Sequence, residues 1–259
     1  MTPGVVKFRE PADTIVSRFT VAWVEDKAIE RKKRQHVWAM VGFGAAALVS
    51  IITTGLLHAS LHLAVGAAAL VLAGATGYRW RAYKRLDIDD RKLQTVLRVL
   101  KILRADIPRT ERVSLSVDLR DYDATASNPG PVAVFTDDWF RLTTRLADGN
   151  VVTLMLTDRI KRKTKRKGRL RFGARSQIRV AVRLAKQYRP AASIASRLQA
   201  RPQRDGLPLA GVTAASESRL VVAFRSPKVQ ILRHLPAGDA VLQALASVYG
   251  GLAAARRPA

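Results

Sequence analysis

The chain has no cysteine. Disulfides and thiolate metal sites are therefore excluded, and the redox compartment stays undecided. Acidic residues are scarce, with 20 Asp and Glu against 45 Lys and Arg, for a formal net charge of +25. A surface that basic favours polyanions: lipid headgroups, nucleic acid or an acidic protein partner. Aromatic side chains make up 6% of the sequence, which disfavours the stacked bases of single-strand nucleic-acid binding. The sequence shows no glycine-rich phosphate loop, nucleophile elbow or paired metal-ligand motif. No catalytic residue, metal ligand or cofactor is assigned, and there is no internal repeat. The 259 residues suffice for one medium domain with a membrane anchor, or for two small domains.

A further absence is local. From Gln35 to Tyr78 there are 44 residues without one Asp, Glu, Lys or Arg. One helix crosses the hydrocarbon core with roughly 20 residues, so the run is long enough for two passes. The expected break lies at His58–His62, between spans at about Val37–Leu57 and Leu61–Tyr78. His58 and His62 have metal-compatible spacing but no nearby carboxylate, so polar capping of the turn is the expected role. Mostly polar residues precede the block, and no secretory signal peptide is expected. Arg31, Lys32, Lys33 and Arg34 stand before the first span, and Arg79, Arg81, Lys84 and Arg85 after the second. The positive-inside tendency then places both termini in the cytoplasm, with the hairpin in an inner or plasma membrane. Trp38 and Tyr78–Trp80 fall where aromatic anchors belong. Gly42, Ala46, Ser50 and Thr54 recur every four positions in the first span, and Ala69, Ala73 and Gly77 in the second. These small residues are the expected packing stripes, within the hairpin or toward a homo-oligomer. No ionised residue lies inside the spans, which argues against a transporter.

The expected organisation is a cytoplasmic N-terminal arm over 1–34, a transmembrane hairpin over 35–78, a stalk helix over 79–108 and a basic domain over 109–259. In the arm, Gly4–Arg9 reads as a strand. Thr14–Val24 reads as helix or strand, and Ala22–Arg34 as a helix entering the first span. Leu93, Val96, Leu97, Leu100 and Leu103 mark an amphipathic helix behind the acids of Asp87–Asp90. It ends before Ile107-Pro108. From Arg112 the period falls to two. Trp139–Leu146 and Val151–Ile160 form a hairpin across Ala147-Asp148-Gly149-Asn150. Leu220–Phe224 and Val229–Leu232 read as a second hairpin across Ser226-Pro227. Asp239 reads as the cap of a C-terminal helix. The fold class is thus a two-helix membrane hairpin plus a cytoplasmic α+β domain of about seven strands, mostly antiparallel, closed by that helix.

Between Arg159 and Arg204 stand 17 Lys or Arg and no Asp or Glu. The candidate lipid- or polyanion-binding residues are Lys161, Arg162, Lys163, Lys165, Arg166, Lys167, Arg169 and Arg171. Arg169, Arg171, Arg179 and Arg183 alternate with apolar residues, which predicts a row of cations on one sheet face. Only Phe172 and Tyr188 add aromatic surface to the block. A membrane-tethered domain finds its nearest polyanion in the anionic leaflet, where each Lys or Arg contributes about 1 kcal/mol. The expected function is a non-enzymatic membrane-anchored scaffold or interaction protein whose basic domain engages anionic lipid. A protein partner or second copy is a further expectation, and nucleic acid a weaker one. The enzymatic alternative is a metal-dependent site built from Asp118, Asp121, Asp137 and Asp138.

Overall fold

The computed structural model describes residues 3–57, 60–86, 88–122, 132–164, 169–200, 207–230, 235 and 238–256, with side chains described outside 54–63 and 85. The chain forms two compact units, one comprising Val21–Ile88, the other joining Gly4–Thr20 to Asp89–Ala259.

The first unit contains most of helix α1 (Ala12–Leu57) and all of helix α2 (Ser60–Leu86). Among the described residues, α1 alone is long and apolar enough to cross a membrane. Its Leu48, Val49, Ile51 and Ile52 are exposed. The β-branched run Thr14–Val24 is helical here. Ile15, Phe19 and Ala22 are buried on one face of it, and that spacing of three to four outweighs strand propensity. His36 stacks on Tyr83 at 5.3 Å, Met40 lies beside Gly77, and Ser50 and Ala47 lie against Gly66. The Asp26 carboxylate accepts a hydrogen bond from the Ile88 amide at 3.1 Å. Ala69 is buried and Ala73 half-buried, whereas Gly42 and Ala46 are exposed and Ser50 is buried. A strict four-residue spacing advances about 40° past a full turn at each step, so it winds off a contact line followed by Met40, Ala47 and Ser50. His58 lies outside the described residues, as does the side chain of His62.

The second unit is a seven-stranded antiparallel sheet covered on one face by helices. Its strands are β1 (Val5–Glu10), β2 (Val113–Asp118), β3 (Val132–Arg145), β4 (Val151–Thr164), β5 (Leu170–Arg183), β6 (Leu209–Ser216) and β7 (Arg219–Arg225). They lie in the order β1-β2-β3-β4-β5-β7-β6. Directly paired residues of an antiparallel ladder share a face. One such row crosses every strand: Phe8, Leu115, Leu142, Leu154, Val180, Val222 and Val212. This apolar face meets helices α3 (Asp90–Leu103), α4 (Ala191–Ala200) and α5 (Gly238–Ala253). Ile15 and Phe19 join the same core, both fully buried, and the Phe19 ring meets Phe8 edge-on at 5.7 Å.

The β3–β4 hairpin turns where the sequence places it. Gly149 takes φ +82°, a region glycine enters without a Cβ clash. The Asn150 side chain accepts from the Ala185 amide at 2.8 Å and donates to Asp148 at 2.6 Å. The expected second hairpin does not form: β7 pairs with β6 and β5 instead. Past Pro227, Val229 makes an isolated bridge to Ala174 on β5, while Ile231 and Leu232 lie outside the described residues. Neither α4 nor β6 has a counterpart in the sequence reading. The α3 helix is capped by Asp89, whose side chain accepts from the Arg91 amide. Asp239 stands in the first turn of α5, not at its cap, and pairs with Arg98 at 2.5 Å.

Because Phe19 is fully buried, Phe19→Ala should cost about 3–5 kcal/mol, read as a lowered thermal midpoint of the detergent-solubilised full chain. A change within about 0.5 kcal/mol, typical of a surface position, would contradict its place in the core.

Candidate functional site

The sheet's uncovered face is where the cations go. β5 exposes Arg171, Arg175, Arg179 and Arg183 and turns Ala174, Ser176, Ile178, Val180 and Val182 into the core. β4 adds Arg159, Lys161 and Lys163 to the same face. Arg141 and Arg145 on β3, Lys7 and Arg9 on β1, and Arg219 and Arg225 on β7 complete it through the ladder register. All thirteen are exposed. Among the described strand residues, the acids on this face are Asp118, bound to Arg120 at 2.6 Å, and Asp138, which accepts from the Thr157 hydroxyl at 2.6 Å. None of its described strand residues is aromatic.

Three cation pairs are direct cross-strand neighbours: Lys163 with Arg171, Arg159 with Arg175, and Arg183 with Arg219. Like charges directly opposite destabilise a sheet, by some tenths of a kcal/mol to about 1 kcal/mol each. A sheet arranged for stability alone would interleave acids there.

Of the sequence-derived candidates, Lys161, Lys163 and Arg171 lie together on the open face. Arg162 points to the covered side, its guanidinium 5.2 Å from the centre of the Phe135 ring. Arg169 precedes β5 and is exposed, and Lys165, Arg166 and Lys167 lie outside the described residues. The face is wider than the expected row. Arg175 completes the β5 alternation, and Lys7-x-Arg9 on β1 carries the same period-two signal. Only the long-range pairing of β1 with β2 joins those two to the rest.

The covered face carries buried ion pairs beside a bulge in β3. The bulge, between Asp137 and Phe140, inserts an extra residue, and so Trp139 and Phe140 are both buried in the core. Ahead of the bulge the strand's ordinary alternation sets Asp137 toward α3 and leaves Asp138 on the open face. Lys92 of α3, almost fully buried, meets Asp137 at 3.0 Å and donates to the carbonyls of Asp118 and Arg120. Arg91 pairs with Asp158 at 2.7 Å, and the Ser176 hydroxyl donates to the same carboxylate at 2.5 Å. Both cations lie over the Trp139 ring, at 5.3 and 5.8 Å from its centre. Beside them is a pocket of about 180 Å³ lined by Asp121, Asp137, Arg91, Lys92, Arg120 and Tyr122, among others. Among the described residues the four aspartates of the enzymatic alternative do not gather into a metal-holding group, although Asp121 and Asp137 line the same pocket. Asp118 holds Arg120, Asp137 holds Lys92 on the covered side, and Asp138 binds the Thr157 hydroxyl on the open face.

These pairings set the titrations. The Arg120 hydrogen bond holds Asp118 below the usual carboxylate range. Burial pushes Asp137 above it, against the opposing pull of Lys92. Burial disfavours the Arg91 charge, but Asp158 and Asp89 more than offset it and raise its pKa. A carboxylate with a raised pKa binds its proton more readily folded than unfolded. Its contribution is therefore most favourable below the unfolded value, about 3.9, and falls as pH rises through the folded value. Asp118 acts oppositely: its contribution is present above about 3.9 and is lost as pH falls through its lowered value.

Lys92→Met strands the half-buried Asp137 carboxylate and should cost about 3–5 kcal/mol. Asp137→Asn should cost less, because Lys92 keeps its two carbonyls. Asp137→Asn should also flatten the decline of stability above about pH 4. Denaturant titrations across pH measure both. Equal costs for the two variants, or an unchanged pH profile, would contradict the assignment.

No protein-family model, no curated protein and no solved structure matches this chain.

Proposed function

We propose that the protein is a membrane-anchored, non-enzymatic interaction module whose open sheet face engages anionic lipid headgroups. In this reading α1 and α2 cross an inner or plasma membrane as a hairpin, with both termini cytoplasmic. Several features support the hairpin. The charge-free run is 44 residues long, basic collars flank it on both ends, and Met40 pairs with Gly77 and His36 with Tyr83 in antiparallel order. Exposed Val65, Leu70, Val71 and Leu72 on α2 are apolar surface that lipid would cover.

The observation that carries the headgroup reading is the convergence of thirteen exposed cations on one sheet face, three pairs of them in direct register. A folded sheet loses stability by that arrangement, and a polyanion restores it. The polyanion closest to a membrane anchor is the leaflet itself. Charges farther than about 8 Å from the contact are screened at physiological salt. If roughly five of the cations reach headgroups, the attraction is about 5 kcal/mol. The absence of aromatics on the described part of the face argues for lipid over nucleic acid, whose single-strand binders stack bases on them.

The test uses the full chain in nanodiscs of zwitterionic lipid, with labelled vesicles added. Vesicles containing phosphatidylserine should be captured and neutral vesicles should not, and salt should weaken capture. The double variant Arg175→Gln/Arg179→Gln should lose about 2 kcal/mol, roughly thirtyfold in apparent affinity. Equal capture of neutral and anionic vesicles by the native chain sinks the reading. Co-purifying nucleic acid that outcompetes the vesicles would favour a membrane tether for nucleic acid instead.

A further inference from the structure

The open face is not uniform. β7 stops at Arg225, so the flank of β5 beyond Gln177 has no strand partner. The segment that follows β7 is clipped to that flank instead. The Ser226 amide donates to the Ser176 carbonyl at 2.8 Å, and the Ser176 amide donates to the Ser226 hydroxyl at 2.9 Å. Val229 and Ala174 exchange both backbone hydrogen bonds, at 2.8 and 2.9 Å. Lys228 is held between the two clips, and its side chain lies across the sheet over Gly173. A Cβ at Gly173 would stand 2.7 Å from the Lys228 Cε. The missing side chain is what gives the lysine its place.

The register sets the other walls. Lys161 pairs with Gly173 and Lys163 with Arg171, so all of them share the open face with Lys228. The groove they form measures about 280 Å³, is lined by Lys161, Lys163, Arg171 and Lys228 with Phe172, Gly173 and Gln230, and has no carboxylate among its described lining residues. On the neighbouring strand Val134 stands opposite Lys161 and Val132 opposite Lys163. Both valines are more than half exposed, 51% and 54%.

We infer that this groove is a binding site for a phosphate monoester carried on a lipid headgroup. The inference rests on the headgroup reading above and narrows it. A monoester carries a charge of about −1.5 to −2 and three accepting oxygens, which suits several cations around one small concavity. A phosphodiester or a carboxylate offers less charge at one point. The exposed valines beside the cations select a lipid-borne phosphate over a soluble one. Apolar side chains next to basic ones fit the boundary between headgroups and acyl chains.

The experiment again uses the full chain in zwitterionic nanodiscs. Vesicles containing phosphatidic acid, a monoester, are compared with phosphatidylserine vesicles matched in surface potential. Phosphatidic acid should be captured at least about fivefold more tightly, the equivalent of about 1 kcal/mol. Gly173→Ala keeps every charge and displaces only the mobile end of Lys228. It should abolish that preference while leaving the thermal midpoint and phosphatidylserine capture unchanged. Lys228→Gln should abolish the preference too, and serves if the alanine variant fails to fold. Equal capture of the two lipids by the native chain overturns this inference and leaves the headgroup reading standing, whereas capture of neither overturns both. Displacement of the vesicles by micromolar glycerol phosphate would assign the groove to a soluble ester and overturn the lipid assignment.

Discussion

Directly paired residues of an antiparallel ladder lie on the same face, and successive residues of a strand lie on opposite faces. From the row Phe8–Leu115–Leu142–Leu154–Val180–Val222–Val212, everything else about the sheet follows. Once that row is buried under α3, α4 and α5, Lys7, Arg141 and Arg179 have no choice of side. A slip of one residue on β5 would bring Arg175 and Arg179 into the core, at a desolvation cost the domain could not absorb. The hydrophobic face and the cationic face are two consequences of a single register.

Within the β2–β5 ladders the bulge in β3 breaks this rule, and the break has a purpose in packing. It lets Trp139 and Phe140 both enter the core, next to Asp137, which ordinary alternation sets under α3 to meet Lys92. With Arg91 on Asp158, the helix is fixed to the sheet by two ion pairs whose cations share one indole. Buried pairs of this kind add little net stability over a well-packed apolar core, but breaking one side of them is costly. Their effect is to fix the position of α3 along the strands. Of the acidic concentration seen in the sequence, Asp137 belongs to this joint, while Asp118 is held separately by Arg120.

Local signals in the sequence translated well where one short segment carried them. The hairpin across Asp148-Gly149-Asn150 needs only a glycine at positive φ and an Asx side chain, and both are explicit. The helix over Leu93–Leu103 is equally readable from its period, and the short strand expected at Gly4–Arg9 lies within one residue of β1. The apolar stretch of α1 also announces itself, because charge-free length is a one-dimensional property. What failed depended on pairing at a distance. Leu220–Phe224 has two neighbours, β5 and β6, and nothing in its own residues says that Pro227 ends a strand without opening a hairpin. β6 is rich in alanine and has only Val212 and Thr213 of the branched residues that mark strands. α4 sits inside the basic block, where charge count masks a weak apolar stripe. Among the site residues, Lys161, Lys163 and Arg171 could be read from a run of charge. Arg162 belongs to the same run yet faces Phe135, which parity along β4 would have revealed once the strand's face was known. Lys228 could not be found at all, because its relation to Gly173 exists only through the clip at Ala174.

The three like-charge cross-strand pairs bear most directly on function. Natural sequences are locally consistent with their folds, and departures collect where a surface has work other than folding. Lys163–Arg171, Arg159–Arg175 and Arg183–Arg219 oppose the ladder that holds them, each by up to about 1 kcal/mol. Solubility does not require this: alternating signs would solvate the face equally well without the repulsion. An anionic surface would remove the repulsion and add attraction in the same step, so the proposed binding would reinforce folding on this face. The proposed headgroup contact thus accounts for two properties together, the single sign of the face and the placement of its charges in register.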